Sequence, residues 1–246
     1  MPATKERSFI AIYEGYDPRE IPAYSIGEAA HYLQIPPSTL RAWSVGRTYP
    51  TKTGERKFQP LLSLPDRPAG EPVQLSFLHL VEAHVLSALR RHHRIVLWKV
   101  REALTYLTRQ FPSPHPLADQ CFVTDGIDLF MEKYGQLIKV SAQGQLGRRA
   151  MLQAYLRRID RDPTGIPLKL YLFTRTPPTM EAPKAVVIDP YVSFGRPVLA
   201  GTGIPTAIIA ERYKAGESIQ ALAEDYDRCP EEIEEAIRCE LHSPAA

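Results

Sequence analysis

The sequence predicts a mainly helical chain with small β elements: an N-terminal winged helix-turn-helix, a small α+β middle region, and a C-terminal three-helix module of helix-turn-helix type. Three observations carry this expectation. Residues Tyr24 to Trp43 read as two short helices joined by a tight turn, and a basic, turn-rich stretch follows. Residues 75–107 repeat apolar side chains at helical spacing. Beyond residue 203, three helix-like pieces succeed one another with short breaks. The expected divisions are 1–116, 117–184 and 185–246.

In YSIGEAAHYLQIPPSTLRAW, Ser25 is placed to cap a first helix, with Glu28 completing a capping box. Ala29, Ala30 and Leu33 give that helix a small apolar face suited to close packing. Gln34 to Pro37 is the turn. Ser38 is expected to cap a second helix, Thr39 to about Val45, with Leu40 and Trp43 facing the core and Thr39, Arg41 and Ala42 facing out. The next stretch, GRTYPTKTGERKFQP, sets Arg47, Lys52, Arg56 and Lys57 against Glu55, with Lys52 to Glu55 as the tip of a wing.

Two longer helices are expected next. LSFLHLVEAHVLSALRRH puts Leu78, Val81, Val85 and Leu89 on one face, and RIVLWKVREALTYL does the same with Val96, Val100, Leu104 and Leu107. They break near His92-His93, and FPSPHP ends the run. In the middle region, Asp125-Gly126 between apolar runs signals a tight hairpin. RRAMLQAYLRRI reads as a helix with Met151, Leu152, Tyr155, Leu156 and Ile159 as its stripe, LKLYLF reads as a strand, and Thr174 to Lys184 as a proline-rich linker. In the last region, Ile204, Ile208, Ile209 and Tyr213 form the apolar positions of a segment that stops at Gly216. Ser218 caps the next piece, and Pro230 opens the last one ahead of a run of acids.

Composition narrows the functional classes. The chain has 246 residues, 44% of them hydrophobic, and a net charge of +2. That charge is unevenly spread: residues 1–120 carry 15 basic against 11 acidic side chains, residues 121–184 carry 10 against 6, and residues 185–246 carry 5 against 11. A basic front and an acidic back imply different partners for the two ends. No run of about 18 apolar residues suggests a membrane span, and the first residues lack the core of a signal peptide. Cys121, Cys229 and Cys239 are an odd, sparse set that suits reduced thiols in the cytoplasm. Cys239 and His242 are at best half of a metal site, so neither metal nor cofactor is expected.

The run FGRPVLAGTGIPT, Phe194 to Thr206, raises the possibility of a phosphate loop. Thr206 stands where a dinucleotide loop needs its third glycine, no P-loop lysine follows, and Pro205 removes a donor N–H. An architectural turn is the better reading, with its glycines allowing close bending and Pro205 stiffening the entry to the following helix. The carboxylates Glu231, Glu232, Glu234 and Glu235 are spread around their helix rather than aimed at one point, and a solvated helix start is expected there. The histidines, His31, His79 and His84 among them, form no nucleophile or metal pattern. No catalytic residue is expected.

The N-terminal constellation suits double-stranded DNA. The start of the second helix of such a motif enters the major groove, where Ser38, Thr39 and Arg41 offer hydroxyls and a guanidinium to phosphates and guanine edges. Arg47, Lys52, Arg56 and Lys57 would hold phosphates and release counterions. The plainer alternative is a helical hairpin with a solvated basic loop. LRRHHRIVLWKVR is either a second backbone-contacting surface or the polar face of a helix junction. A last helix opening PEEIEEA would meet phosphates with like charge, so the C-terminal module is expected to bind protein, its own copy or another chain, unless it is a structural cap.

The residues Asp189-Pro190, Gly195-Arg196-Pro197-Val198, Ala200 to Thr206, Ala215 to Ile219 and Leu222 to Tyr226 resemble the small helical family called domain of unknown function 433, over about Val187 to Glu240. Phe194 replaces the first of that family's paired glycines, and Gly203 its common arginine. With Tyr24 to Trp43 and LSFLHLVEAHVLSALRRHH, the whole chain resembles VapB-type antitoxins with a MerR-like N-terminal DNA-binding domain. The resemblance implies an antitoxin that neutralises a PIN-domain, VapC-like ribonuclease toxin and represses its own operon. A homodimer is expected, because operator half-sites mirror protein symmetry. The rivals are a stand-alone MerR-like regulator sensing a small molecule in region 117–184, and a hydrolase built on the C-terminal acids.

Overall fold

Ser25 starts the first helix as its position in the sequence requires. In this computed structural model, which describes residues 15–51, 54–66, 68, 70–91, 97–110, 112–119, 122, 152–175 and 181–241, its hydroxyl accepts from the Glu28 N–H while the Glu28 carboxylate accepts from the Ser25 N–H. Strand β1 (Tyr24–Ser25) leads into α1 (Ile26–Tyr32), and Gln34, at φ 53°, turns the chain toward α2 (Pro37–Val45). Ser38 does not cap this helix. Helix α2 begins one residue earlier, at Pro37, with Pro36 in the cap position and no side-chain cap bond. Proline suits the first helical turn because its missing N–H has no intrahelical acceptor there.

A hairpin of β2 (Arg47–Thr51) and β3 (Gly54–Phe58) follows, and β4 (Gln74–Leu75) then pairs antiparallel with β1. Helix α3 (Phe77–Arg91) differs from the one-faced helix expected of it. Side chains from Phe77 to Ala88 are buried on every side, including His79, Glu82, His84 and Ser87. It is the centre of the fold, with α4 (Leu97–Gln110), α1, α2 and the later strands gathered around it. The Leu89 and Val96 side chains, the break at His92-His93 and most of the basic cluster there lie outside the described residues, as do Met151, Cys121, His242 and the Asp125-Gly126 hairpin.

The polar groups inside this core are paired. The imidazole of His115 lies between the Glu82 and Glu20 carboxylates, 3.1 Å from each, and Leu117 N–H donates to Glu82. Burial opposes a charge on His115, but the two carboxylates outweigh it and its pKa is raised. His79, held by Ser76 and the Ser63 carbonyl, is pushed down by burial.

Four antiparallel strands form a meander in chain order: β5 (Ile159–Arg161), β6 (Pro167–Tyr171), β7 (Val186–Ile188) and β8 (Val198–Leu199). This sheet crosses the 184/185 point, so the middle region and the start of the last region share backbone hydrogen bonds. The proline-rich stretch is pinned at both ends, with residues 176–180 outside the described set. Buried Arg158 donates to the carbonyls of Tyr171, Leu172, Ala182 and Pro183, and its guanidinium lies 4.3 Å from the Phe173 ring centroid. Burial pushes its pKa down to about 10.

The last three helices, α5 (Thr206–Lys214), α6 (Ile219–Tyr226) and α7 (Pro230–Leu241), close over a second small core of Leu199, Ile209, Leu222, Ala223, Ile233, Ala236 and Ile237. Ser218 caps α6 through the Ala221 N–H at 3.1 Å. Two expectations fail here. Ile208 and Tyr213 are 46% and 39% exposed, because the buried face of the short helix α5 centres on Ile209 and Ala210. Glu235 is not solvated: it is 1% exposed and bound by Thr174, Arg175 and Arg238, which fastens α7 to the strand side of the molecule. Among the described residues no helix is long and apolar enough to cross a membrane.

Candidate nucleic-acid interface

Helix α2 is anchored from one side and open on the other. Leu40 and Trp43 are fully buried, and Ser44 Oγ donates to the Leu40 carbonyl at 2.8 Å. Ser38 and Arg41 are exposed, and Thr39 and Ala42 are half-buried beside them. Leu40 and Trp43 face inward and Arg41 outward as their spacing predicts, but Thr39 and Ala42, expected to face out, are only partly exposed.

The hairpin is fixed to the end of α2. Gly46 joins them at φ 76°, and a Cβ there would lie 2.3 Å from the Phe58 carbonyl oxygen, so no other residue fits without moving the backbone. On the return side, the N–H groups of Leu61 and Leu62 both donate to the Trp43 carbonyl, at 2.8 and 3.0 Å. Arg101 of α4 stacks over the Phe58 ring at 4.6 Å and donates to the Gln59 and Pro60 carbonyls. Helix, hairpin and α4 therefore hold one another in register.

The hairpin register distributes its cations. Arg47 pairs with Phe58, Thr48 with Lys57, Tyr49 with Arg56, and Thr51 with Gly54. Side chains of opposed residues share a face. Arg47, Tyr49 and Arg56 therefore lie on one face, with the Arg47 guanidinium 5.7 Å from the Tyr49 ring, and Lys57 lies on the other beside Thr48. At the tip Thr51 Oγ1 donates to the Gly54 carbonyl at 2.6 Å, and Lys52 lies outside the described residues. Arg41, Arg47, Arg56 and Lys57 are all exposed, and none is in an ion pair among the described residues.

One set of residues escaped the sequence reading. Tyr24 Oη donates to the Gly195 carbonyl at 2.9 Å, and Arg196 pairs with Glu28, the residue that also completes the α1 cap. Burial pushes the Tyr24 hydroxyl up and keeps it a donor. In the FGRPVLAGTGIPT run Gly195 is the glycine whose missing side chain makes room for a neighbour, while Gly201, at φ 76°, suits glycine for its backbone alone. A Cβ on Gly195 would lie 2.4 Å from Tyr24 Oη, whereas nothing lies within 4 Å of one on Gly201 or Gly203. No local pattern could have revealed this, because 171 residues separate the partners.

Residues 22–104 match the family model described as "Putative DNA-binding HTH domain", and residues 186–238 match "Protein of unknown function (DUF433)". A curated relative, "Putative antitoxin VapB45" of Mycobacterium tuberculosis strain H37Rv, is 30% identical over 232 residues, covering 89% of this chain and 93% of the relative. The chain belongs to the VapB45 family. A solved structure titled as the X-ray crystal structure of Rv2018 from Mycobacterium tuberculosis superposes with a TM-score of 0.67 at 26% identity, over 89% of this chain and 98% of that one. The helix-turn-helix match starts just before β1 and ends inside α4, so for this member of the VapB45 family it takes in α2, the hairpin, Arg41, Arg47, Arg56 and Lys57.

Proposed function

We propose that this chain is a DNA-binding antitoxin that neutralises a PIN-domain ribonuclease toxin and represses its own operon as a cytoplasmic homodimer. The observation that carries the reading is the α2–hairpin unit. Four exposed cations with no ion-pair partner among the described residues sit on one support, inside the segment that matches a DNA-binding helix-turn-helix model and in a chain of the VapB45 family. Arg41, with Ser38 and Thr39 beside it, would face the base edges. Arg47, Arg56 and Lys57, together with Lys52 of the intervening sequence, would hold phosphates on both faces of a MerR-like wing. In the division of labour, region 1–116 binds DNA, and the toxin docks mainly on the middle or C-terminal region, 117–184 or 185–246. No residue is assigned a catalytic, cofactor or metal role.

The test is a mobility shift with the fragment upstream of the gene, together with co-purification of the adjacent PIN-domain protein. The full chain should shift the fragment and retain the toxin. Unchanged DNA retention after Arg41→Ala with Arg56→Ala would rule out this surface.

One observation favours the rival regulator. A cavity of about 350 Å³ lies between the hairpin exit and α4, walled by Leu61, Arg101, Leu104 and Thr108, with the buried carboxylate of Glu82 among its lining. It lies among residues 60–117 rather than in region 117–184 as expected. A small molecule that changed operator affinity with no PIN-domain neighbour present would favour that reading.

A further inference from the structure

The loop Ser193 to Arg196 holds Phe194 in solvent at 75% exposure. Ser193 and Phe194 both have left-handed backbone, at φ 48° and 52°, a conformation that non-glycine residues rarely keep without support. The support is present. Tyr24 grips the Gly195 carbonyl, and Ser193 Oγ donates to the Gly203 carbonyl at 3.2 Å. The phenyl ring is thus presented on a fixed mount.

It borders a groove of about 550 Å³ between the two modules, walled by Tyr32 at the end of α1, Phe194, Arg196, Pro205, Ala207 of α5 and Glu240 of α7. Ile208 and Leu241, which follow Ala207 and Glu240 in sequence but do not line the groove, are also exposed, at 46% and 42%. An exposed aromatic side chain bordering a groove on a face with further exposed apolar residues is the pattern of an interaction site.

The surrounding charge selects the occupant. Arg212 is paired with Glu217 and Asp225, Arg228 with Glu232, Arg238 with Glu234 and Glu235, and Arg196 with Glu28. Exposed Glu211, one turn beyond Ala207 on α5, is in no ion pair among the described residues, and neither are exposed Glu224 and Glu231 elsewhere on the module. Lys214, two turns from the groove, is the one basic side chain of residues 185–241 without an acidic partner among the described residues. A nucleic acid would be repelled here, and a second copy would set one acidic module against another.

We infer that this junction groove is the docking site of the protein partner, and that the partner inserts an apolar side chain ringed by cationic groups. The inference rests on the antitoxin reading and gives it a surface. Because Tyr32 and the Arg196–Glu28 pair belong to the same site, the partner would touch α1 of the DNA-binding unit directly.

The test measures the affinity of the full-length chain, and of Phe194→Ala, Ile208→Glu and Glu211→Lys, for the adjacent PIN-domain protein. Operator binding is measured alongside as a check on folding. Phe194→Ala and Ile208→Glu should each weaken toxin binding by at least about tenfold, and Glu211→Lys should slow association, while operator affinity stays unchanged. If the wild-type chain binds the toxin and all three variants bind it equally, the groove is not the site, though the antitoxin reading stands. If the wild-type chain does not bind it, that reading fails and the groove assignment fails with it. If Phe194→Ala instead converts a dimer to a monomer in sedimentation, the face joins two copies and the inference is wrong.

Discussion

Gly195→Ala is the sharpest perturbation of the joint between the modules. Two costs follow from the structure. Gly195 sits at φ 73°, where an L-residue with a Cβ is less stable by about 1–2 kcal/mol. The new Cβ would also fall 2.4 Å from Tyr24 Oη, while the ring carbon behind that oxygen is 3.4 Å away, an ordinary approach. The hydroxyl must therefore move, and a buried hydrogen bond of about 1–2 kcal/mol is lost with it. The sum is about 2–4 kcal/mol. It is read from urea denaturation as a lower midpoint at unchanged slope. The decisive measurement is the double-mutant cycle with Tyr24→Phe. Removing Oη removes both the clash and the bond, so in that background Gly195→Ala should cost only the backbone share. The coupling should be about 1–2 kcal/mol. Additive effects, or a loss below about 1 kcal/mol for Gly195→Ala alone, would show that this contact does not hold the modules together.

Other predictions follow from single sites. Arg56→Ala should weaken operator binding at low salt and reduce the slope of log affinity against log salt by about 0.9, the share of one phosphate. An unchanged slope would remove Arg56 from the interface. The raised pKa of His115 gives stability that is full below its unfolded value of about 6.5 and is lost as pH rises through the folded value. Urea midpoints should therefore fall as pH rises beyond about 6.5 in the wild-type chain and fall less in His115→Gln. Glu235 runs the other way: burial raises its pKa, but bonds from Arg175 and Thr174 outweigh this and hold it low. Its contribution is present above about pH 4.5 and lost as pH falls through the lowered value, so Glu235→Gln should flatten the acid side of the stability profile. Leu40→Ala, at a fully buried site of α2, should cost about 2–5 kcal/mol in urea and weaken operator binding at temperatures near the transition.

The sequence by itself determined the local grammar of this protein. The Ser25–Glu28 box, the small face of Ala29 and Ala30, the inward Leu40 and Trp43, the basic hairpin, the Ser218 cap and the Pro230 start all depend on neighbours within a few residues, so they can be read without a fold. Tertiary structure decided what depends on distant partners. It buried α3 on every side, because residues distant in sequence cover its polar positions: Ser63 meets His79, His115 and Leu117 meet Glu82, and Tyr155 meets His84. It drew Glu235 inward, because Thr174 and Arg175 meet it from 60 residues away or more. It turned Ile208 outward, because a short helix over a small core can bury only one stripe. The site divides along the same line. The cations of the hairpin were legible as a charge pattern, but their split between two faces came from strand register. The groove beside Phe194 was not legible at all, because Tyr32, Gly195 and Glu240 become neighbours only when the chain closes on itself.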